Sequence, residues 1–295
     1  DSDKIAKDLG LKERWGLNKD HEIPRLVLVR SDGTTLYTLR DMAYHLWKFS
    51  QVERDINIIG SEQRLAQLQL RLALAAMGKL WMGDNLHHYS YEMVHLPGVK
   101  MSGRLGRYVT LLEMVEKAEE LAYEAVDVRS AHLSKEEKER IARMVGHGAI
   151  KFTLLSVDPM KTVTFDWEKA LNFETNSAPY IQYSHARACN ILKKAGERPE
   201  PDYGGLSSRR EKELIMALAR FPETFTDAAN ELKPGEITAY ANNLSDKFNS
   251  FYAAHPVLKA ETPGLAGARL RLVEATRITI RNALQTLGIA PPERM

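Results

Sequence analysis

The stretch Arg25-Leu26-Val27-Leu28-Val29-Arg30-Ser31-Asp32-Gly33-Thr34-Thr35-Leu36-Tyr37-Thr38-Leu39-Arg40-Asp41 decides how the first third of the chain is read. Residues 25–29 are strand-like, and Ser31-Asp32-Gly33 is turn chemistry that stops the strand. Thr38, with Asp41 three residues on, has the spacing of a helix start, and Met42, Ala43, Leu46 and Trp47 then follow one face. The pattern repeats downstream. Asp55 to Gly60 holds the strand-like Ile56-Asn57-Ile58-Ile59. Ser61 then opens a helix with the stripe Leu65, Leu68, Leu72, Ala75 and Ala76, which Gly78 ends. His87 to Val94 is a third strand candidate. Strands alternating with helices predict a partly parallel sheet. Such sheets bind ligands beyond the carboxyl ends of their strands, where Ser31, Gly60 and the loop near Lys100 fall.

Further along, the pattern turns helical. Thr110 with Glu113, and Ser134 with Glu137, are capping-box spacings. Thr262-Pro263 sets a cap before a first-turn proline, opening a helix that can run to Gly288. Helical periodicity lapses between Phe165 and Pro179, the expected domain boundary, and Gly196 to Ser208 is a Gly- and Pro-containing loop. The fold class expected is therefore α/β followed by all-α.

Composition narrows the function less than it narrows the class. A chain of 295 residues with 44% hydrophobic content can bury a sizeable core. Lys and Arg number 41 against 39 Asp and Glu, a formal charge of +2, so any nucleic-acid surface has to be local. The single Cys189 excludes an internal disulfide and a Cys-rich zinc site, in keeping with a cytoplasmic setting. No apolar run approaches the roughly 20 residues that span a bilayer, and Asp-Ser-Asp-Lys at the start does not read as a signal peptide.

Three constellations carry chemistry. Lys100-Met101-Ser102-Gly103-Arg104 is a basic, Gly-containing loop after a strand; it can wrap phosphates with backbone N–H groups and cations, or it is a solvated turn. Tyr37 and Asp41, four apart, share a helix face. A carboxylate beside an aromatic ring can receive a guanidinium; the alternative is a helix-start Asp beside a half-buried Tyr. In the third, Phe165-Asp166-Trp167 and Asn172-Phe173-Glu174 lead into Pro179-Tyr180-Ile181-Gln182-Tyr183-Ser184-His185-Ala186-Arg187. Rings interleaved with His and Arg suit the unstacked bases of single-stranded RNA, though each residue alone also suits a packed helix start.

Taken together and in this order, these segments resemble the arginyl-tRNA synthetases, from about residue 25 to the closing Pro292-Glu293-Arg294-Met295. Lys100 to Arg104 resembles the Lys-Met-Ser-Lys-Ser loop of class I synthetases, with Gly103 in place of the second lysine, a departure common among arginyl enzymes. The resemblance implies that Lys100, Met101 and Ser102 hold ATP and that Lys100, Ser102 and Arg104 act in catalysis. It implies that Tyr37, Asp41 and Gln63 hold the arginine side chain. It places Asn176, Tyr180, Gln182, Tyr183 and Arg187 against tRNA, and His185 as a structural helix residue. Arg269, Arg271, Arg277 and Arg281 add local positive charge, some with stems that cover apolar surface.

The fold implied is the second half of a Rossmann-type catalytic domain over residues 1–99. A loop and helical connector over 100–164 and a helical-bundle anticodon-binding domain over 165–295 complete it. ATP with Mg²⁺, L-arginine and tRNA(Arg) are the implied partners, for a cytoplasmic monomer with no bound zinc. Class I synthetases carry an upstream His-x-Gly-His-type signature, and no such spacing occurs here; Gly146-His147-Gly148 sits in a helical stretch. The first half of the nucleotide-binding fold is thus expected before Asp1. A tRNA-binding module without catalysis of its own is the rival reading, and a class I synthetase for another amino acid a weaker one.

Overall fold

The computed structural model describes residues 1–97 and 109–295, and divides into two compact units. The first comprises Asp1–Met93 with Pro159–Lys161, the second Val94–Asp158 with Thr162–Met295.

In the first unit, helices α1 (Ser2–Asp8) and α2 (Leu11–Arg14) lead to α3 (Tyr37–Lys48). Strand β1 (Asp55–Gly60) and a 3₁₀ turn (Ser61–Gln63) lead into α4 (Arg64–Ala76); α5 (Leu80–Asn85) and β2 (Leu86–Tyr91) follow. Strands β1 and β2 pair in parallel, from Asp55 opposite Leu86 to Gly60 opposite Tyr91, as the alternating pattern predicts.

Residues 25–29 differ from expectation. Leu26 and Leu28 turn inward and Val27 and Val29 outward, so the period-two pattern is real. Among the described residues its only ladder contact is an antiparallel bridge between Val29 and Thr35, because the segment folds back through its own turn. Asp32 holds that turn, accepting from the Thr34 amide at 2.9 Å and the Thr34 hydroxyl at 2.6 Å. Nor is Thr38 a cap: α3 begins at Tyr37, with Leu36 as its cap residue and no side-chain cap bond.

Helix α4 buries more of its circumference than one stripe. Leu68, Leu72 and Ala75 face a cluster with Ala6, Leu11 and Ile23. Leu70, Ala73 and Leu74 face another with Met42, Phe49, Met82 and Leu86. Leu65 and Ala76, read as part of the stripe, are exposed. Gly78 ends the helix as expected, at φ +75°.

The second unit begins with β3 (Val94–His95), which pairs in parallel with β4 (Val163–Thr164). Between them run α6 (Leu111–Arg129) and α7 (Lys135–Leu155), each opened by the capping box its sequence predicts. Gly146 lets the two helices approach: a Cβ there would lie 2.8 Å from the Ala118 carbonyl carbon. After α8 (Trp167–Ala170) come α9 (Ala178–Lys194), α10 (Arg209–Ala219), α11 (Phe221–Glu231), α12 (Pro234–Ala254) and α13 (Pro263–Thr286). Phe248 and Phe251 of α12 pack with Ile181, Leu214, Val273 and Ile280 in the largest core cluster. Thr262 caps α13 through the Leu265 amide at 3.2 Å, and the helix ends at Thr286, two residues before Gly288. Among the described residues no helix is long and apolar enough to cross a membrane.

Candidate functional site

Tyr37 and Asp41 lie one turn apart on α3, both exposed, Tyr37 at 83%. Neither side chain hydrogen-bonds to another described residue, so both are free for a ligand. Beneath them the same helix is fixed by a buried polar cluster. The Asp41 carbonyl accepts from His45 Nδ1 at 2.7 Å. A carbonyl only accepts, so Nδ1 carries the proton and Nε2 is the acceptor in the neutral ring. Asn57 of β1 donates to that Nε2 at 2.9 Å and to Gln67 Oε1 of α4 at 2.8 Å. Lys48 Nζ donates to Asn57 Oδ1 and pairs with Asp55, both at 2.9 Å. Gln63 closes the 3₁₀ turn that leaves β1 at its carboxyl end, and its side chain is exposed.

The sequence reading missed this cluster. Its signal was present as polar residues at core positions: His45 between Met42 and Phe49, Asn57 within an isoleucine run, and Gln67 in an apolar helix.

Lys100, Met101, Ser102 and Arg104, the residues expected to meet ATP, lie outside the described residues.

The second group of expected site residues gathers on α9 and α12. Ser177 caps α9, accepting from the Tyr180 amide at 3.1 Å and donating to the Asn172 carbonyl. Just before it, Asn176 is exposed in the left-handed region at φ +46°, its amide donating to Asn242 at 2.9 Å.

Tyr180 is buried. Its hydroxyl donates to Asp246 at 2.7 Å and accepts from Asn249 at 3.0 Å, and burial first, then Asp246, pushes its pKa up. Gln182 has no exposed surface; its amide donates to the Met144 and Ala290 carbonyls at 3.0 and 2.8 Å. These two side chains are buried and brace the bundle, whereas their expected place was among residues that touch RNA. His185 is buried too, with Nδ1 donating to the Pro292 carbonyl at 2.9 Å, and burial lowers its pKa.

Tyr183 and Arg187 do face outward. The Arg187 guanidinium lies 4.8 Å from the centre of the Tyr183 ring and 5.3 Å from that of Tyr252, and it donates to Asn249. The same two rings and Arg187 border an open recess of about 760 Å³ with Lys194 and Lys259 on its rim. Tyr183 also borders a second recess of about 380 Å³, where Arg129 stacks 4.5 Å over Phe173. Rings and guanidinium planes spaced in this way can stack bases, with the cations beside them available for phosphates. Arg129 escaped the sequence reading because it lies on α6, distant in sequence from the aromatic run.

The arginines of α13 are not a common surface. Arg269 is buried, donating to Glu211 at 2.8 Å and to the Pro256 carbonyl at 3.0 Å, while Arg271 pairs with Glu274 at 3.1 Å. Among the described residues no group of three or more His, Cys, Asp or Glu side chains could hold a metal ion.

By comparison with known proteins, the chain has the class I aminoacyl-tRNA synthetase fold with a helical anticodon-binding domain. Residues 12–167 match the family model described as tRNA synthetases class I (R), catalytic domain, and residues 181–295 match the DALR anticodon binding domain. The chain belongs to the arginyl-tRNA synthetase family.

The arginine–tRNA ligase of Ignicoccus hospitalis is 47% identical over 97% of this chain and 46% of its own length. That of Pyrococcus abyssi is 43% identical over 94% of this chain and 50% of its own. The solved arginyl-tRNA synthetase of Thermus thermophilus superposes with a TM-score of 0.86 at 31% identity, covering all of this chain and 58% of that one. The chain thus spans about half the length of the curated relatives it matches.

Proposed function

We propose that this chain supplies the arginine-recognising and tRNA-recognising parts of an arginine–tRNA ligase. Such an enzyme uses ATP with Mg²⁺ to activate L-arginine, then transfers the arginyl group to tRNA(Arg). The observation that carries the amino-acid assignment is the pair Tyr37 and Asp41, exposed and unpartnered on one face of α3. The carboxylate can take a guanidinium bidentately and the ring can cover it; Gln63 adds an amide from the end of β1.

On this reading residues 1–99 form the second half of a Rossmann-type domain, 100–164 the ATP loop and connector, and 165–295 the anticodon-binding bundle. Lys100, Met101 and Ser102 hold the triphosphate. Lys100, Ser102 and Arg104 stabilise the charge that develops as the arginine carboxylate attacks the α-phosphorus and pyrophosphate leaves. Catalysis of this kind rests on positioning and charge stabilisation. Asn176, Tyr183 and Arg187 meet the tRNA directly, while Tyr180 and Gln182 hold their helix in place. The enzyme acts as a cytoplasmic monomer and needs no bound zinc.

The test is tRNA-dependent ATP–pyrophosphate exchange in the full-length protein, with each amino acid supplied in turn. Exchange with arginine alone is the expected result, and exchange driven by another amino acid would overturn the assignment. The stacking platform of α9 and α12 is complete within this chain, which favours a second, narrower reading for the chain in isolation: it binds tRNA(Arg) and does not catalyse exchange.

A further inference from the structure

Tyr37 and Asp41 are exposed, so nothing at their tips sets where they stand; their placement comes from the buried side of α3. There the helix contacts β1 through one connected set of hydrogen bonds. His45 joins the Asp41 carbonyl to Asn57, and Asn57 joins His45 to Gln67. Both amide protons of Asn57 are thereby used, and its oxygen accepts from Lys48. Asp55 pairs with Lys48. With Nδ1 donating to the Asp41 carbonyl, Nε2 accepts from Asn57 at 2.9 Å. His45, Asn57 and Gln67 are each less than a tenth exposed, where a polar link is rigid when fully satisfied and costly when broken. One end of the set is the backbone of Asp41; the other is the strand that ends three residues before Gln63.

We propose that His45 and Asn57 are positioning residues for the guanidinium pocket, fixing the register between the Tyr37 and Asp41 pair on α3 and Gln63 beyond β1. The proposal rests on reading those three residues as arginine contacts. Neither His45 nor Asn57 touches substrate; each acts through the element it holds.

The two ring nitrogens can be separated by substitution. In His45→Asn the amide can still reach the Asp41 carbonyl but leaves Asn57 without its acceptor. In His45→Gln the longer side chain offers Asn57 an acceptor near the Nε2 position. Asn57→Asp keeps shape but puts an acceptor against two acceptors.

Steady-state aminoacylation by the full-length protein, with arginine and ATP varied separately and thermal midpoints recorded beside them, reads the result. We expect His45→Asn and Asn57→Asp to raise the KM for arginine by about tenfold, less than the roughly hundredfold that an ångström of misplacement can cost. The KM for ATP should stay within about twofold, and His45→Gln should restore most of the loss, by the same argument. Variants that lower the thermal midpoint yet leave the KM for arginine alone, or raise both KM values together, overturn the proposal. Should Asn57→Asp fail to fold, the two His45 variants decide alone. Asp41→Asn in parallel separates the two claims. If it leaves arginine use unchanged, the pocket reading fails. If it impairs arginine use while His45→Asn does not, only the positioning role fails.

Discussion

The two units of this chain combine the same interactions in different proportions. In the helical unit one large apolar cluster buries Phe248, Phe251, Leu214, Ile181, Val273 and Ile280 together, and hydrophobic burial, which has no direction, supplies much of the stability. Gln182, His185, Glu211 and Arg269 are buried beside it as hydrogen-bonded polar groups. In the α/β unit the apolar clusters are smaller and polar side chains sit among them. His45, Asp55, Asn57, Gln67 and Gln69 are all buried. Hydrogen bonds are directional, so such a cluster adds little net stability but defines how its elements register. On the proposed function the difference follows the ligands: a guanidinium needs the angle and distance of a few polar atoms, whereas bases stacking on rings tolerate a looser frame.

The largest effect that would break this comparison lies in the apolar core. Phe248→Ala should destabilise the helical unit by about 3–5 kcal/mol, read by denaturant unfolding followed by circular dichroism, and a loss under about 1 kcal/mol would mean that this core is not what holds the bundle. Next comes the guanidinium pocket. Losing the charge of a charge-assisted hydrogen bond costs about 1.5–3 kcal/mol, roughly ten- to a hundredfold at about 1.4 kcal/mol per factor of ten. Asp41→Asn should therefore raise the KM for arginine by about ten- to a hundredfold in full-length enzyme, with the KM for ATP near its starting value; unchanged arginine kinetics remove Asp41 from the pocket.

On the stacking platform, Arg187→Ala should weaken tRNA(Arg) binding by about 1–3 kcal/mol in filter binding while leaving arginine-concentration dependence intact. Equal affinity for the two proteins would place the RNA elsewhere.

The smallest effect concerns the buried ion pair Arg269 with Glu211 in the helical unit. Burial alone pushes the Glu211 carboxyl up, but the Arg269 guanidinium and the Ser208 amide and hydroxyl outweigh it and hold the pKa below the ordinary 4.5. The folded value lies below the unfolded one. The pair's contribution is thus complete above the unfolded value and fades as pH falls through the folded one. The thermal midpoint should therefore drop as pH falls below the ordinary carboxylate range, and Glu211→Gln should flatten that drop; identical acid profiles would remove the pair from the unit's acid response.

Much of the frame was readable from local chemistry. Thr110, Ser134 and Thr262 start helices because each bonds the amide three residues on, a short-range event that composition records. Gly78 and Gly288 stand in the left-handed region for equally local reasons. What could not be read depends on neighbours far along the chain. Residues 25–29 have strand periodicity, yet the ladder that defines a strand needs a partner the periodicity does not name. Gln182 and Tyr180 stand in an aromatic, polar run that suits RNA, and only the approach of α7, α12 and the tail turns both inward. Gly146-His147-Gly148 is explained in the same way: Gly146 admits α6 and Gly148 admits Gln182, whose amide nitrogen would lie 3.0 Å from an added Cβ. Close packing accounts for those glycines without any phosphate. Among the site residues, Tyr37, Asp41 and Gln63 were nameable by resemblance, but His45 and Asn57 belong to the substrate's frame only once α3 is seen against β1.

The end of the chain shows what such bracing demands of a sequence. Gln182 and His185 hold the segment after α13 by the carbonyls of Ala290 and Pro292, and Lys151 by that of Gly288. Every residue type offers a carbonyl, so these anchors do not discriminate among side chains at 290 and 292. They do count. Adding or deleting one residue between Gly288 and Pro292 would put the Ala290 or Pro292 oxygen out of step with its donor and strand a buried polar group. This segment is therefore constrained in length more tightly than in composition, and drift there should proceed by substitution while insertions are excluded.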